Sequence, residues 1–416
     1  LETYEQIGQI PTVNVTGNFI AYASPDSTYA VTRRLLDSAK KEILIGIYDF
    51  SADYMKDILL NALERGVAVS LMLDIDNEQE EQIFKELGKF GCQTVPAPSC
   101  ASKHVNYFPS AHEKVIVIDR TWTLVQSGNY SKHSIPFNEK DGGNPNHFVT
   151  GNRDMGVAIR SKPLADFFSK VLRRDMQLEL DASHIEAAER DVNRRHELDL
   201  VEAVPELLPA KLFPSKNLNP QKTVKVTPVL TPDNYMKVIP NFLASATKSI
   251  YIEQQYIRSE HADVIKILQA IKSAKQNHSQ LDVRIILGKL FNLSDFDKEK
   301  KNVANLAQSF GLKLGDNIRY IDTKRFVHCH NKLILVDKQS VLISSQNWSK
   351  TGVGNNREAG VLMRYPDIAR YYSQIFDSDW GTASKTIPKP GAGTITPEAL
   401  SMGRFTQVRA ADYQDV

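Results

Sequence analysis

A chain of 416 residues is too long for one ordinary core and calls for two domains of roughly 150 to 200 residues each; at 42% hydrophobic and 24% charged it has a globular make-up. No run of about 18 apolar residues occurs, which excludes a membrane-spanning helix from these residues, and three cysteines are too few for a disulfide framework. Lysine and arginine exceed aspartate and glutamate by 51 − 49 = 2, so bulk charge argues for no nucleic-acid partner, although a local basic cleft is compatible with it.

A start at Leu1 in place of Met fits a leader removed beforehand, which tilts the expected compartment toward secreted or periplasmic over cytoplasmic. The first clear element is the apolar run "AKKEILIGIYDF" (39–50), of strand character. A helical pattern follows in Met55, Ile58, Leu59, Leu60, Ala62 and Leu63, then a further strand, "VAVSLMLD" (67–74). In "GCQTVPAPSC" (91–100), Cys92 and Cys100 are near enough to close a small loop in an oxidising compartment; two inert thiols are the other reading. Next comes "SAHEKVIVIDRTWTLVQSGNYS" (110–131), followed by a polar stretch, "KHSIPFNEKDGGNPNHFVTG" (132–151), which reads as a loop beside a site. "GNRDMGVAI" (151–159) closes this half.

Residues 203–232 are rich in proline, lack sustained periodicity and read as a connector. The chain then begins again. "ATKSIYIEQQYI" (246–257) answers the first strand, and Val264, Ile265, Ile267, Leu268 and Ile271 answer the helix. "LDVRIILG" (281–288) is the second strand over again. His112, Lys114, Asp119, Ser127 and Asn129 match His330, Lys332, Asp337, Ser345 and Asn347, all at 330 − 112 = 218 residues. Asp154 matches Glu358 at 358 − 154 = 204, so the first copy carries 218 − 204 = 14 extra residues, in its polar loop. Strand, helix, strand in each half predicts an α/β fold: two similar α/β domains, each a mostly buried mixed sheet flanked by helices, related by a pseudo-two-fold axis. The expected boundaries are 1–202 for the first domain, 203–232 for the connector, 233–383 for the second domain and 384–416 for a surface tail.

Residues i and i+2 of a strand share a face. His112 and Lys114 are therefore expected side by side, as are His330 and Lys332. Ser127 with Asn129, and Ser345 with Asn347, add short polar groups able to hydrogen-bond an anion. Doubled about an axis, imidazole, ammonium, hydroxyl and carboxamide form a pocket for one phosphate. The lysines neutralise phosphoryl oxygens in a five-coordinate transition state; one histidine attacks phosphorus while the other donates a proton to the leaving oxygen. Asp154 and Glu358 are expected to accept from the histidine Nδ1 atoms and fix their tautomers. Asp119 and Asp337, at odd offsets from the His and Lys face, are expected to be structural. "HCH" (328–330) sets two imidazoles together, but no second ligand cluster completes a set, so neither a metal nor another cofactor is expected.

At these residues the chain resembles the phospholipase D superfamily, whose H-x-K-x4-D motif occurs twice in one chain or once per subunit of a dimer. The resemblance spans roughly residues 35–175 and 240–380. It implies an active site at the junction of two α/β domains, a covalent phosphohistidine and metal-independent cleavage or transfer of a phosphodiester. It also implies His112 as nucleophile and His330 as acid and base, with Lys114, Lys332, Asn129, Asn347, Ser127 and Ser345 on the phosphate. The family often has glycine before the serine, where this chain has Gln126 and Ser344. "NYS", "NWS" and "NNRE" resemble the small nucleases and the mitochondrial cardiolipin hydrolase type.

Two substrates follow. A phospholipid is favoured by the near-neutral charge, by the doubled motif in one chain and by aromatic residues such as Tyr48 and Trp348 near the motifs; any membrane contact would then be peripheral. DNA or RNA is the alternative, supported by "NWS" and "NNRE". A protein that only binds phosphorylated ligands is a third class, which two complete motifs argue against. Both half-sites lie on one chain, so a monomer is expected to suffice.

Overall fold

The structure, a computed structural model, describes residues 3–102, 105–137, 151–182, 200–203, 208, 210–290, 293–389 and 405–408. In chain order the first half holds Val13–Val15 (β1), Phe19–Ser24 (β2), Thr28–Asp37 (α1), Glu42–Ile47 (β3), Asp53–Glu64 (α2), Ala68–Leu73 (β4) and Glu78–Lys89 (α3). It continues with Gln93–Pro96 (β5), Val115–Ile118 (β6), Trp122–Gln126 (β7), Asp154–Arg160 (β8), Lys162–Ala182 (α4) and Leu200–Ala203 (β9). The second half holds Lys216–Leu218 (β10), Val224–Thr231 (β11), Tyr235–Ala244 (α5), Ser249–Gln254 (β12), Ala262–Asn277 (α6), Asp282–Leu287 (β13) and Leu293–Phe310 (α7). Ile318–Tyr320 (β14), Leu333–Val336 (β15), Ser340–Ser344 (β16), Lys350–Gly354 (α8), Glu358–Arg364 (β17), Pro366–Thr382 (α9) and Phe405–Val408 (β18) complete it.

Two eight-stranded sheets repeat one order, β10-β2-β8-β7-β6-β3-β4-β5 and β1-β11-β17-β16-β15-β12-β13-β14. In each, the strand–helix–strand units pair in parallel while the motif hairpin, β6–β7 or β15–β16, runs antiparallel. Leu164, Phe168 and Leu172 of α4, with Ile368, Tyr372 and Phe376 of α9, share one central core with side chains from both sheets. Two further cores lie outside it, under α1 to α3 in the first half and α5 to α7 in the second. Because both faces of each sheet are covered, central strands such as "VIVI" and "LILV" are continuous apolar runs with no polar alternation.

The stretch 203–232 is more than the expected connector. It supplies β10 to the first sheet and β11, second from the edge, to the second sheet. Pro228 hid that strand. It pairs with Val361 of β17, while β1 covers only Val224 to Val226 on the other side, so the missing N–H faces an open edge. The edge strands are exchanged: β1 precedes β2 but pairs with β11, and β10 precedes β11 but pairs with β2. Of the expected tail, Ser384 bridges Tyr320 and β18 pairs with β9, while 390–404 and 409–416 lie outside the described residues. So do 138–150 of the polar loop. Cys92, Cys100 and Cys329 are all unbridged, and no described helix is long and apolar enough to cross a membrane.

The exchange is open to hydrogen-exchange measurement. Deleting residues 1–15 is expected to speed amide exchange in β11, which loses its outer neighbour, and to spare β2, which keeps β10. Equal loss of protection in both strands would contradict the exchange.

Candidate active site

The two H-x-K triplets sit just ahead of β6 and β15, not inside the sheets as the strand pattern suggests. Their backbones pair instead with the opposite half. His112 N donates to the Arg357 carbonyl at 2.7 Å and Arg357 N to that of Ser110 at 2.9 Å; His330 N donates to the Arg153 carbonyl at 3.0 Å and Arg153 N to that of His328 at 2.8 Å. Each histidine is thus held against the segment that carries the other half's acidic residue.

The side chains cross in the same way. His112 Nδ1 lies 2.8 Å from Glu358 Oε2, and His330 Nδ1 lies 2.9 Å from Asp154 Oδ1. Both expected carboxylate contacts therefore run between halves. The imidazole centroids are 6.5 Å apart. Lys114 Nζ and Lys332 Nζ, both buried, each donate at 2.6 Å to the carbonyl of the histidine two residues earlier. Ser127 Oγ donates to Asp154 Oδ1 at 2.7 Å and Ser345 Oγ to Glu358 Oε2 at 2.5 Å. The serines therefore orient the carboxylates. Asn129 Oδ1, Asn347 Oδ1 and His330 Nε2 are buried without a hydrogen-bond partner among the described residues, a state that is costly unless a ligand meets them.

The backbone is close to symmetric and the electrostatics are not. Burial, helped by Lys114, Lys332 and His330, holds His112 well below the usual imidazole range, so its ring is neutral at pH 7. Burial also pushes Glu358 up to about 8, against the pull of Lys114 and the Ser345 hydroxyl. Asp154 is buried as well, yet His330, Lys332 and Ser127 outweigh that burial and hold it below the usual carboxylate range. One half offers a neutral imidazole and the other an imidazole beside a fixed anion. The two ammonium groups against the one carboxylate held ionised, Asp154, make these three groups net positive, a balance that favours an anion.

Asp119 and Asp337 lie outside the pocket. Each, at positive φ in the hairpin turn, accepts from three successive backbone N–H groups, Lys40 to Glu42 or Thr247 to Ser249, at 2.7 to 3.1 Å. They tie the turn to the start of β3 or β12. Where the family often has glycine, Gln126 and Ser344 are accommodated by the glycine of "MGV" or "AGV": a Cβ at Gly360 would meet Ser344 Cβ at 2.6 Å, and one at Gly156 would strike Tyr22, whose hydroxyl donates to Gln126.

Some site residues are not marked by the repeat because they break it. Tyr48 packs edge-on to His112, centroids 4.6 Å apart, and lies under Lys114, where the second half has Gln255. Gly46 and Glu113 in the first half stand where the second has Glu253 and Asn331, so the buried carboxyl sits in the H-x-K triplet in one half and on β12 in the other. A Cβ at Gly46 would meet Glu113 Oε1 at 2.9 Å, while Asn331 Nδ2 donates to Glu253 Oε2 at 2.8 Å. Arg153 and Arg357 repeat as well, each directly before an acidic residue, but their spacing alone does not reveal their burial.

A family profile described as cardiolipin synthase, PLD-like domain, matches residues 32–176 and 239–380. The chain belongs to the phospholipase D superfamily. Mitochondrial cardiolipin hydrolase of Danio rerio is 32% identical over 68 residues, covering 16% of this chain and 30% of that protein. The Canis lupus familiaris protein of the same name is 28% identical over 78 residues, 18% and 31% of the two chains. The match thus spans about a third of these relatives' length. The crystal structure of phosphatidylserine synthase from Haemophilus influenzae Rd KW20 superposes with a TM-score of 0.58 over 92% of this chain and 90% of that one, at 13% identity; that likeness is one of fold.

Burial pushes Glu113 and Glu253 up to about 8. A raised carboxyl binds its proton more tightly in the folded protein than in the unfolded chain, so the stability it permits is full below the ordinary glutamate pKa and is lost as pH rises toward 8. The slope is about 1.4 kcal/mol per pH unit per group. Glu113→Gln is therefore expected to flatten the alkaline fall of the melting temperature and to change little near pH 4. A variant that follows wild type at every pH would contradict this.

Proposed function

We propose that the protein is a phospholipase D-type phosphodiesterase that cleaves or transfers a phospholipid phosphodiester through a phosphohistidine, without a metal. The observation that carries this reading is the pair of crossed histidine–carboxylate contacts facing each other across 6.5 Å. His112 Nε2 attacks phosphorus, forming the N–P bond as the bond to the leaving oxygen breaks. His330 donates its Nε2 proton to that oxygen, then takes one from the incoming water or alcohol, whose oxygen displaces His112. Lys114 and Lys332 balance the charge that builds on the phosphoryl oxygens, and Asn129 and Asn347 complete their hydrogen bonding.

The difference in charge state supports this division of roles. A nucleophile needs a neutral ring, the state in which burial keeps His112, while a proton donor gains from a fixed anion such as Asp154. Once ionised, Glu358 accepts the Nδ1 hydrogen of His112 and leaves the Nε2 lone pair free, so turnover is expected to rise with pH through about 8. The name of the sequence relatives, mitochondrial cardiolipin hydrolase, supports a lipid substrate. Both histidines lie on one chain, which supports a monomer as the working unit.

Wild type and His330→Ala should be compared on phosphatidylcholine, phosphatidylglycerol and cardiolipin vesicles and on single-stranded DNA and RNA, all with EDTA. Release of head group or lipid phosphodiester products that survives EDTA and is lost in the variant is the expected outcome. Cleavage of nucleic acid with inert lipids would make the protein a nuclease, and loss of all activity in EDTA would overturn the metal-free mechanism. Glu358→Gln, which holds the His112 tautomer incorrectly, is expected to lower kcat on the order of 10⁴-fold and to erase the limb near pH 8; retention of that limb would assign it to another group.

A further inference from the structure

Arg153 and Arg357 take no part in the steps above, yet they are among the largest fully buried side chains of the protein. A buried guanidinium is tolerable only when its donors are met. Arg153 donates to both oxygens of Asp379 at 2.7 and 3.1 Å, to Asp26 Oδ1 at 2.9 Å and to the Ser24 carbonyl at 2.8 Å. Arg357 repeats the pattern: both oxygens of Asp175 at 2.7 and 3.1 Å, Asp233 Oδ2 at 2.7 Å, the Thr231 carbonyl at 3.1 Å and the Tyr4 hydroxyl at 2.5 Å.

The partners of each arginine come from both halves. Its two-toothed partner stands on the central helix of the other half, Asp379 on α9 or Asp175 on α4. Its single-contact aspartate follows the first long strand of its own half and also holds the chain leading to the exchanged edge: Asp26 Oδ2 accepts from Phe213 N at 2.7 Å, and Asp233 Oδ1 from Ile7 N at 2.6 Å. The arginine backbone, meanwhile, is hydrogen-bonded to the segment bearing the opposite histidine, and the next residue is the carboxylate that meets that histidine.

The geometry points to Arg153 and Arg357 as positioning residues: each fixes, through its two-toothed bond to the opposite half, the register at which the neighbouring carboxylate meets the opposite histidine. Arg357 and Asp175 thus serve the His112–Glu358 contact, and Arg153 and Asp379 the His330–Asp154 contact. Lysine carries the charge but lacks the planar fork, so Arg→Lys should let the register slip. A shift of about 1 Å in such a site costs about 100-fold in rate. This inference rests on the proposed roles of the two histidines for its effect on kcat, but not for its effect on structure.

The test reads each histidine separately. A hydrogen held between Nδ1 and a carboxylate resonates far downfield in proton NMR, and His112→Gln and His330→Gln assign the two signals without substrate. Arg357→Lys, and the milder Asp175→Asn if Arg357→Lys does not fold, are expected to abolish the His112 signal and retain that of His330; Arg153→Lys is expected to do the reverse. Leu172→Ala, which opens a cavity in the same central core, is expected to lower the melting temperature and keep both signals. With a phosphodiester substrate, the arginine variants are expected to lose about 100-fold in kcat with KM nearly unchanged. Retention of both signals in both arginine variants, their loss together, or an equal effect from Leu172→Ala would overturn the inference. If the signals respond as expected in a protein that cleaves no phosphodiester, the positioning role stands and the proposed reaction falls.

Discussion

Everything at the centre of this protein depends on a carboxylate from one half meeting the imidazole of the other. Neither half holds a complete histidine site: the ring of His112 waits on Glu358, and that of His330 on Asp154. Deep burial makes the dependence strict, because an imidazole removed from water needs a defined partner for its Nδ1. The exchanged edge strands, the shared central core and the buried arginine contacts all serve to bring two equivalent surfaces into one register.

A duplicated fold supplies two of everything, whereas the proposed displacement at phosphorus needs two unlike groups. The halves resolve this at a few positions while leaving the backbone alone. Glu358 in place of an aspartate, Tyr48 opposite Gln255, and a buried carboxyl moved from β12 in one half to the H-x-K triplet in the other all fall within or directly beneath the pocket. Burial leaves His112 neutral, while Asp154 stays ionised beside His330. Local desolvation and the placement of charge turn symmetric scaffolding into a site with direction.

The residues legible in the sequence were those that repeat. His112, Lys114, Ser127 and Asn129 announce themselves through identical spacing in the second half, and the α/β class follows from the paired strand and helix patterns. What crosses between halves was not legible, because spacing along a chain carries no information about which half a side chain reaches. Hence the carboxylate pairing was expected but its direction was not, and β10 and β11 lay hidden in a stretch whose prolines suggested a connector. Arg153 and Arg357 repeat as faithfully as the acids they precede, but a guanidinium reads as surface charge until its burial is seen. Glu113 carries the opposite lesson: a residue that breaks a repeat escapes a reading built on it.

The most direct measurement is the site of the covalent intermediate. After rapid mixing of the wild type with a phospholipid, alkaline quench and peptide mass spectrometry, the adduct should sit on His112, and His112→Gln should form none. An adduct on His330, or turnover with no histidine adduct at all, would contradict the assignment of unlike roles to the two halves.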